Sequence, residues 1–165
     1  MADEQGAANK ALIERFYNAF SAGDGDAMAS CYSSQIHFSD PVFPDLRGPD
    51  AGGMWRMLTG APGDVRIELL EHDADATTGS AHWRAHYTFT ETGRPVVNDI
   101  HATFRFEDGE IVEHHDDFDF HAWSRQALGT VGLLLGWTPI VRSKVRAKAG
   151  ARLDQFMSTP AGASA

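Results

Sequence analysis

Phe104-Arg105-Phe106-Glu107-Asp108-Gly109-Glu110-Ile111 is the stretch that decides how the chain reads. Apolar residues alternate with charged ones up to Asp108-Gly109, and apolar residues resume directly after. An Asp-Gly pair set between two such runs marks a tight β-hairpin. Working outward, residues 96–106 form one strand and residues 111–120 the next. Trp83, Ala85, Tyr87 and Phe89 alternate with Arg84, His86 and Thr88, which predicts a strand over 83–89. Val65, Ile67 and Leu69 alternate with Arg66 and Glu68 and mark another. Four strands joined by short turns, one of them Thr92-Gly93-Arg94-Pro95, predict an antiparallel meander.

The pattern before the meander has a different period. Leu12, Ile13, Phe16, Tyr17 and Phe20 recur at helical spacing over residues 7–22, and Gly23 ends the helix. Asp24 or Asp26 can cap a short second helix carrying Met28, Cys31 and Tyr32. Residues 36–41 read as a brief strand stopped by Pro41, followed by a loop with Pro44 and Gly48. Pro49 then starts a third helix through Leu58. After the meander, 124–128 is a short helix, and Thr138-Pro139 opens a longer one that runs to Phe156.

With 165 residues, 42% hydrophobic and 22% charged, the chain suits one domain with a real core. That domain spans residues 7–122, a helical extension covers 123–157, and residues 158–165 are expected to fray. A single cysteine, Cys31, excludes an internal disulfide. The acidic N-terminus does not read as a signal peptide, so a cytoplasmic protein is expected. The net charge of −9 disfavours nucleic acid as a partner, because phosphate contacts dominate that kind of binding. Five basic residues nevertheless crowd into positions 142–152.

Three strings recur in one known order: Phe16-Tyr17-Asn18-Ala19-Phe20-Ser21-Ala22-Gly23-Asp24, then Phe38-Ser39-Asp40-Pro41, then the hairpin quoted above. Together they resemble the nuclear transport factor 2-like superfamily over about residues 7–122. Its members include ketosteroid isomerases, SnoaL-like polyketide cyclases, scytalone dehydratases and limonene epoxide hydrolases. The resemblance implies an α+β fold, a curved antiparallel sheet forming a cone closed by N-terminal helices. It also implies a small-molecule pocket and a homodimer formed through the sheet face. The activity it implies is cofactor-free acid/base catalysis on a small apolar carbonyl or epoxide compound, by isomerisation, cyclisation, dehydration or hydrolysis. A binding or carrier domain without catalysis is the alternative.

Asp40 reads two ways: as the carboxylate that matches the catalytic base of ketosteroid isomerases, or as a cap on the turn into Pro41. The isomerase's other two groups are absent, since its helix-1 tyrosine lands on Phe16 and its strand acid on Ala102. Polarity sits instead on residues 111–120, where His114, Asp116 and Phe118 share one face and His115, Asp117 and Asp119 the other. Matching Gly109 to the family's hairpin glycine turns the His114 face inward, so Asp40, His114 and Asp116 are the expected catalytic residues. If the alternation is reversed, His115 and Asp117 face in instead. Tyr17, Tyr32, Trp55, Trp83, Tyr87, Asn98 and Phe118 are the expected ligand wall, although the same residues also suit a plain core.

No metal site and no cofactor is expected. His114 and Asp116 alone converge in the His-His-Asp-Asp run, and His82, His86 and His101 fall on the outer face with Arg84 and Thr103. That mixed face suits the homodimer. The C-terminal helices can extend the dimer, lid the mouth of the cone or rest on an anionic membrane. Covering an apolar stripe within the dimer explains the same residues, so membrane contact is not expected.

Overall fold

The structure is a computed structural model and describes residues 1–160. Helix α1 (Ala2–Ser21) buries Leu12, Ile13, Phe16, Tyr17 and Ala19 on one side. It turns at Gly23 (φ 69°) into α2 (Gly25–Ala29), whose first turn is capped by the Asp24 carboxylate bonded to the Ala27 N–H. The second helix stops at Ala29, short of Cys31 and Tyr32. Tyr32 opens strand β1 (Tyr32–Ser39) instead of closing a helix, because Cys31 C=O accepts from the Ile111 N–H across the sheet. The loop with Pro44 contains a two-residue strand, β2 (Leu46–Arg47), before α3 (Pro49–Gly60).

The meander follows as β3 (Arg66–Ala74), β4 (Thr78–Phe89), β5 (Arg94–Glu107) and β6 (Glu110–Asp117). The hairpin that organised the sequence is a two-residue turn with Asp108 at φ 51° and Gly109 at φ 78°, as a type I′ turn requires. The six strands form one sheet in the order β2-β1-β6-β5-β4-β3. It is mixed and not wholly antiparallel, because β1 runs parallel to β6. The two helices α2 and α3 flank β1, and the long connection from β1 to β6 allows a parallel pairing that no hairpin can make.

Bulges bend the sheet where the register slips, at Leu69/Glu71 in β3 and opposite Arg105/Phe106 in β6. The second bulge sets the inside of the cone. Phe106 pairs with Ile111 but Arg105 pairs with Glu113, so Val112 is the extra residue. Strict alternation from buried Ile111 would put His115 and Asp117 inside. The bulge moves the parity by one, and His114 and Asp116 turn inward.

Beyond Asp117 the chain leaves the sheet. Phe118 is half-buried, and Phe120 begins α4 (Phe120–Leu128) instead of ending a strand, since Asp119 caps that helix through the Ala122 N–H. Then come α5 (Thr130–Leu135) and α6 (Pro139–Met157). The main core lies between α1, α3 and the inner face of the sheet. A second cluster of Val96, Phe120, Trp123, Ala127 and Val141 joins α4 and α6 to the mouth of the cone. The C-terminal end of α6 packs Leu153, Phe156 and Met157 onto the main core. Residues 161–165 of the expected frayed tail lie outside the described residues.

Candidate functional site

At the base of the cone a polar chain crosses an aromatic interior. Trp55 Nε1 donates to the Tyr32 hydroxyl at 2.7 Å, and that hydroxyl lies 2.7 Å from His114 Nδ1. His114 Nε2 is 3.0 Å from Asp116 Oδ1, which also accepts from Trp83 Nε1 at 3.3 Å. An indole N–H can only donate, so the Tyr32 oxygen accepts from Trp55 and its own O–H is left to donate to His114 Nδ1. In that arrangement His114 Nε2 is the nitrogen that faces the Asp116 carboxylate. His114 (1% exposed) and Asp116 (2%) are buried with this chain complete on both sides. Phe104 and Phe38 pack against the imidazole at 4.5 and 5.1 Å between ring centres, and Trp55 stacks on it at 6.2 Å.

Tyr17 stands beside this chain without joining it. Its ring lies 5.5 Å from Trp83, and its buried hydroxyl has no hydrogen-bond partner among the described residues. Burial, reinforced by the Asp116 charge, pushes its pKa well above the ordinary tyrosine value. Burial also raises Tyr32, against the opposing hydrogen bond from Trp55.

Asp40 lies higher, where β1 ends. Phe38 pairs with His114 across the parallel strands, so the residue two further on comes up alongside Asp116. The two oxygens of Asp40 have different surroundings. Oδ1 accepts from the Val42 and Phe43 N–H groups at 2.7 and 2.6 Å, the turn cap expected of an Asp-Pro pair. Oδ2 takes no hydrogen bond from the described residues. Desolvation outweighs the two backbone bonds and, with the Asp116 charge, raises the carboxyl to about 7.

Tyr87, Asn98 and Phe118 line the same upper level. Asn98 is buried on the inward face of β5, and Phe118 packs against both apolar clusters. Two neighbours escaped the sequence reading. Trp123 of α4 donates to the Tyr87 hydroxyl at 2.7 Å, and Arg146 of α6 donates to the Pro41 carbonyl at 2.8 Å, beside Asp40. The helical, basic tail that carries Arg146 is visible in the sequence, but where it docks is not. A groove of about 950 Å³ lies elsewhere, between α2, α3 and α6, and includes none of the expected site residues.

The outer face carries its own pairing. His82 and His101 stack at 4.3 Å between ring centres, and Asp99 Oδ1 lies 2.6 Å from His82 and 3.9 Å from His101. Arg84 holds the other Asp99 oxygen at 2.8 Å, so this cluster is already internally paired.

A curved sheet wrapped by N-terminal helices, with ionisable groups inside and a carboxylate at the end of its first strand, is the architecture of the nuclear transport factor 2-like superfamily. Within it, residues 13–114 match the SnoaL-like domain, and the chain belongs to that family. Among solved structures, a candidate polyketide cyclase from Xanthomonas campestris is 20% identical with a TM-score of 0.66, covering 74% of this chain and 98% of its own. An epoxide hydrolase of limonene-epoxide-hydrolase-like type from Mycobacterium tuberculosis is 19% identical, with a TM-score of 0.64 and coverage of 79% and 97%. A hypothetical protein with a ketosteroid isomerase-like fold from Catenulispora acidiphila, solved with trimethylamine, is 15% identical, with a TM-score of 0.63 and coverage of 78% and 97%. At these identities the likeness is one of fold. No curated protein matches the chain.

Proposed function

We propose that this SnoaL-like chain is a cofactor-independent acid/base enzyme acting on a small, largely apolar carbonyl or epoxide compound. Asp40 is the group that exchanges the proton. The observation that carries this reading is the combination of its free Oδ2 with a pKa of about 7. A carboxylate kept only to cap a turn gains from being fully ionised, because its backbone donors favour the charge. Here burial beside Asp116 overrides them and leaves a group that takes and returns protons near neutral pH. Its reach extends to a carbon next to a carbonyl, or to a water molecule that opens an epoxide.

The other residues have passive parts. Tyr17, with its hydroxyl unpartnered, supplies a hydrogen bond to a ligand oxygen. The Tyr32–His114–Asp116 chain holds the floor rigid and keeps a negative charge near Asp40. Trp55, Trp83, Tyr87, Asn98 and Phe118 form the wall. The sheet face, with its His82, Arg84, Asp99 and His101 cluster, is proposed as the homodimer surface.

The test is turnover of a library of ketones, epoxides and polyketide lactones by wild type and by Asp40→Asn. Asn keeps the Oδ1 cap, so the turn survives and only the proton-exchanging oxygen is lost. Turnover is expected to fall by about 10²–10⁴-fold in the variant. Equal turnover by the two proteins removes Asp40 from the mechanism. A ligand that both bind and neither converts identifies a carrier.

A further inference from the structure

The C-terminal helices present a surface that the cone does not use. Val131, Leu133, Leu134, Leu135, Trp137 and Ile140 are 51–72% exposed, and all lie within ten residues on α5 and the start of α6. Soluble monomers seldom leave so many large apolar side chains together in water. Local packing explains why they point outward. Gly132, the inward residue of α5, lies so close to the Ser124 carbonyl that a Cβ would overlap it. With its glycine against α4, α5 has nowhere to turn its leucines except away from the protein. No segment of the described chain covers these residues.

Charge is segregated in the same place. From residue 120 onward there are six basic residues and one acidic residue, Asp154, in a protein of net charge −9. Pairing is segregated too. Among the described residues, the basic residues before 120 that lie outside an ion pair are Arg15 and Arg94. From 120 on, Lys148 alone is in an ion pair with a described residue. Arg94 belongs with the later group, since it bonds to the Gln126 carbonyl. Arg94 beside Gly129, Arg125 on α4, and Arg142 and Lys144 in the first turns of α6 thus lie on the elements that carry or adjoin the apolar ridge, with no carboxylate ion pair among the described residues. Arg146 instead reaches Pro41, and Arg152 lines the groove beside α2 and α3.

We propose that this surface rests on an anionic lipid bilayer, with the α5 leucines and Trp137 in the interface and the unpaired bases on the headgroups. The chemistry matches on both counts: apolar side chains with a tryptophan at the rim, flanked by cations. A second copy of the chain is the competing occupant. A two-fold contact through this patch sets the same surface against itself, bringing unpaired bases against unpaired bases. The contact is a resting one, since no described helix is long and apolar enough to cross a membrane.

Flotation of the full chain with phosphatidylcholine vesicles, with and without about one third phosphatidylglycerol, tests the proposal. Wild type is expected to float with the anionic vesicles, to bind neutral ones at least about tenfold less, and to be released by high salt. Leu134→Asp with Trp137→Asp removes the apolar half, and Arg125→Glu with Lys144→Glu reverses the charged half. Each pair is expected to reduce binding by about tenfold or more, with the far-ultraviolet circular dichroism unchanged because these side chains are exposed. No flotation with anionic vesicles overturns the proposal. So does a stable oligomer that Leu134→Asp with Trp137→Asp dissociates while vesicle binding is absent. Should the aspartate pair unfold the chain, the charge-reversed pair decides alone, and full binding by it overturns the proposal.

Discussion

The base of the cone and its mouth are both built from aromatic rings and carboxylates, yet they treat polar groups in opposite ways. At the base, the His114 ring has both nitrogens engaged, and its neighbours Tyr32 and Asp116 are each held by an indole. At the mouth, Asp40 has one oxygen tied to the backbone and one free, and its carboxyl is held near neutrality. A buried polar network that is complete stiffens its surroundings, and one left incomplete is available to a ligand. The contrast sets a completed network below and an incomplete one above, with the unpartnered Tyr17 hydroxyl beside the first.

Four perturbations break or sharpen this contrast. The largest effect is expected from His114→Ala, which opens a cavity among five rings and removes the partner of both Tyr32 and Asp116. Urea unfolding should show a loss of about 3–5 kcal/mol. A loss below about 1 kcal/mol would mean that the base is not the scaffold.

Asp40→Asn should act in the other direction. Folded Asp40 keeps its proton up to about pH 7, against 3.8 for an unperturbed carboxyl. The folded state therefore binds the extra proton between those values. Wild-type stability falls as pH rises from about 4 to 7 and levels off above. Asparagine cannot ionise, so the variant should escape that decline and be more stable at pH 8, by on the order of 2–4 kcal/mol. Melting curves at pH 5 and pH 8 for both proteins check the sign. If Asp40 is the base, wild-type turnover should also rise through pH 7.

Tyr32→Phe keeps the ring and removes the hydroxyl between Trp55 and His114, leaving one donor and one acceptor buried. A loss of about 2 kcal/mol is expected by chemical denaturation, with little change in the pH dependence assigned to Asp40. The smallest effect belongs to Asp119→Ala, which removes the α4 cap at the mouth. About 1 kcal/mol is expected, with faster amide exchange confined to α4 and its neighbours. Exchange spreading through β6 would instead tie the mouth to the base.

Much of this was legible because it is local. Asp108-Gly109 specifies its turn by backbone conformation alone, and alternation over residues 83–89 and 96–106 specifies which side chains face the core. Asp40 was legible as a candidate, and the turn cap read from its Asp-Pro pair is seen in the bonds to Oδ1. Tyr32 was misplaced on a helix because Met28, Cys31 and Tyr32 suit helical spacing, while its real partners lie 82 and 23 residues away. The extension was legible as helical and basic, but nothing local says that Arg146 reaches Pro41 or that α5 turns its leucines outward.

By itself, then, the sequence determined the elements, the hairpin and the pool of residues from which a site can be drawn. Turn conformations and side-chain periodicity depend on near neighbours, and near neighbours are what a sequence displays. The tertiary structure decided which of those residues meet. Strict alternation along β6 points His115 inward; one extra residue, Val112, absorbed where β6 pairs with β5, points His114 inward instead. Only the packed sheet shows that bulge, because its register depends on a partner strand and on the core that both must fill.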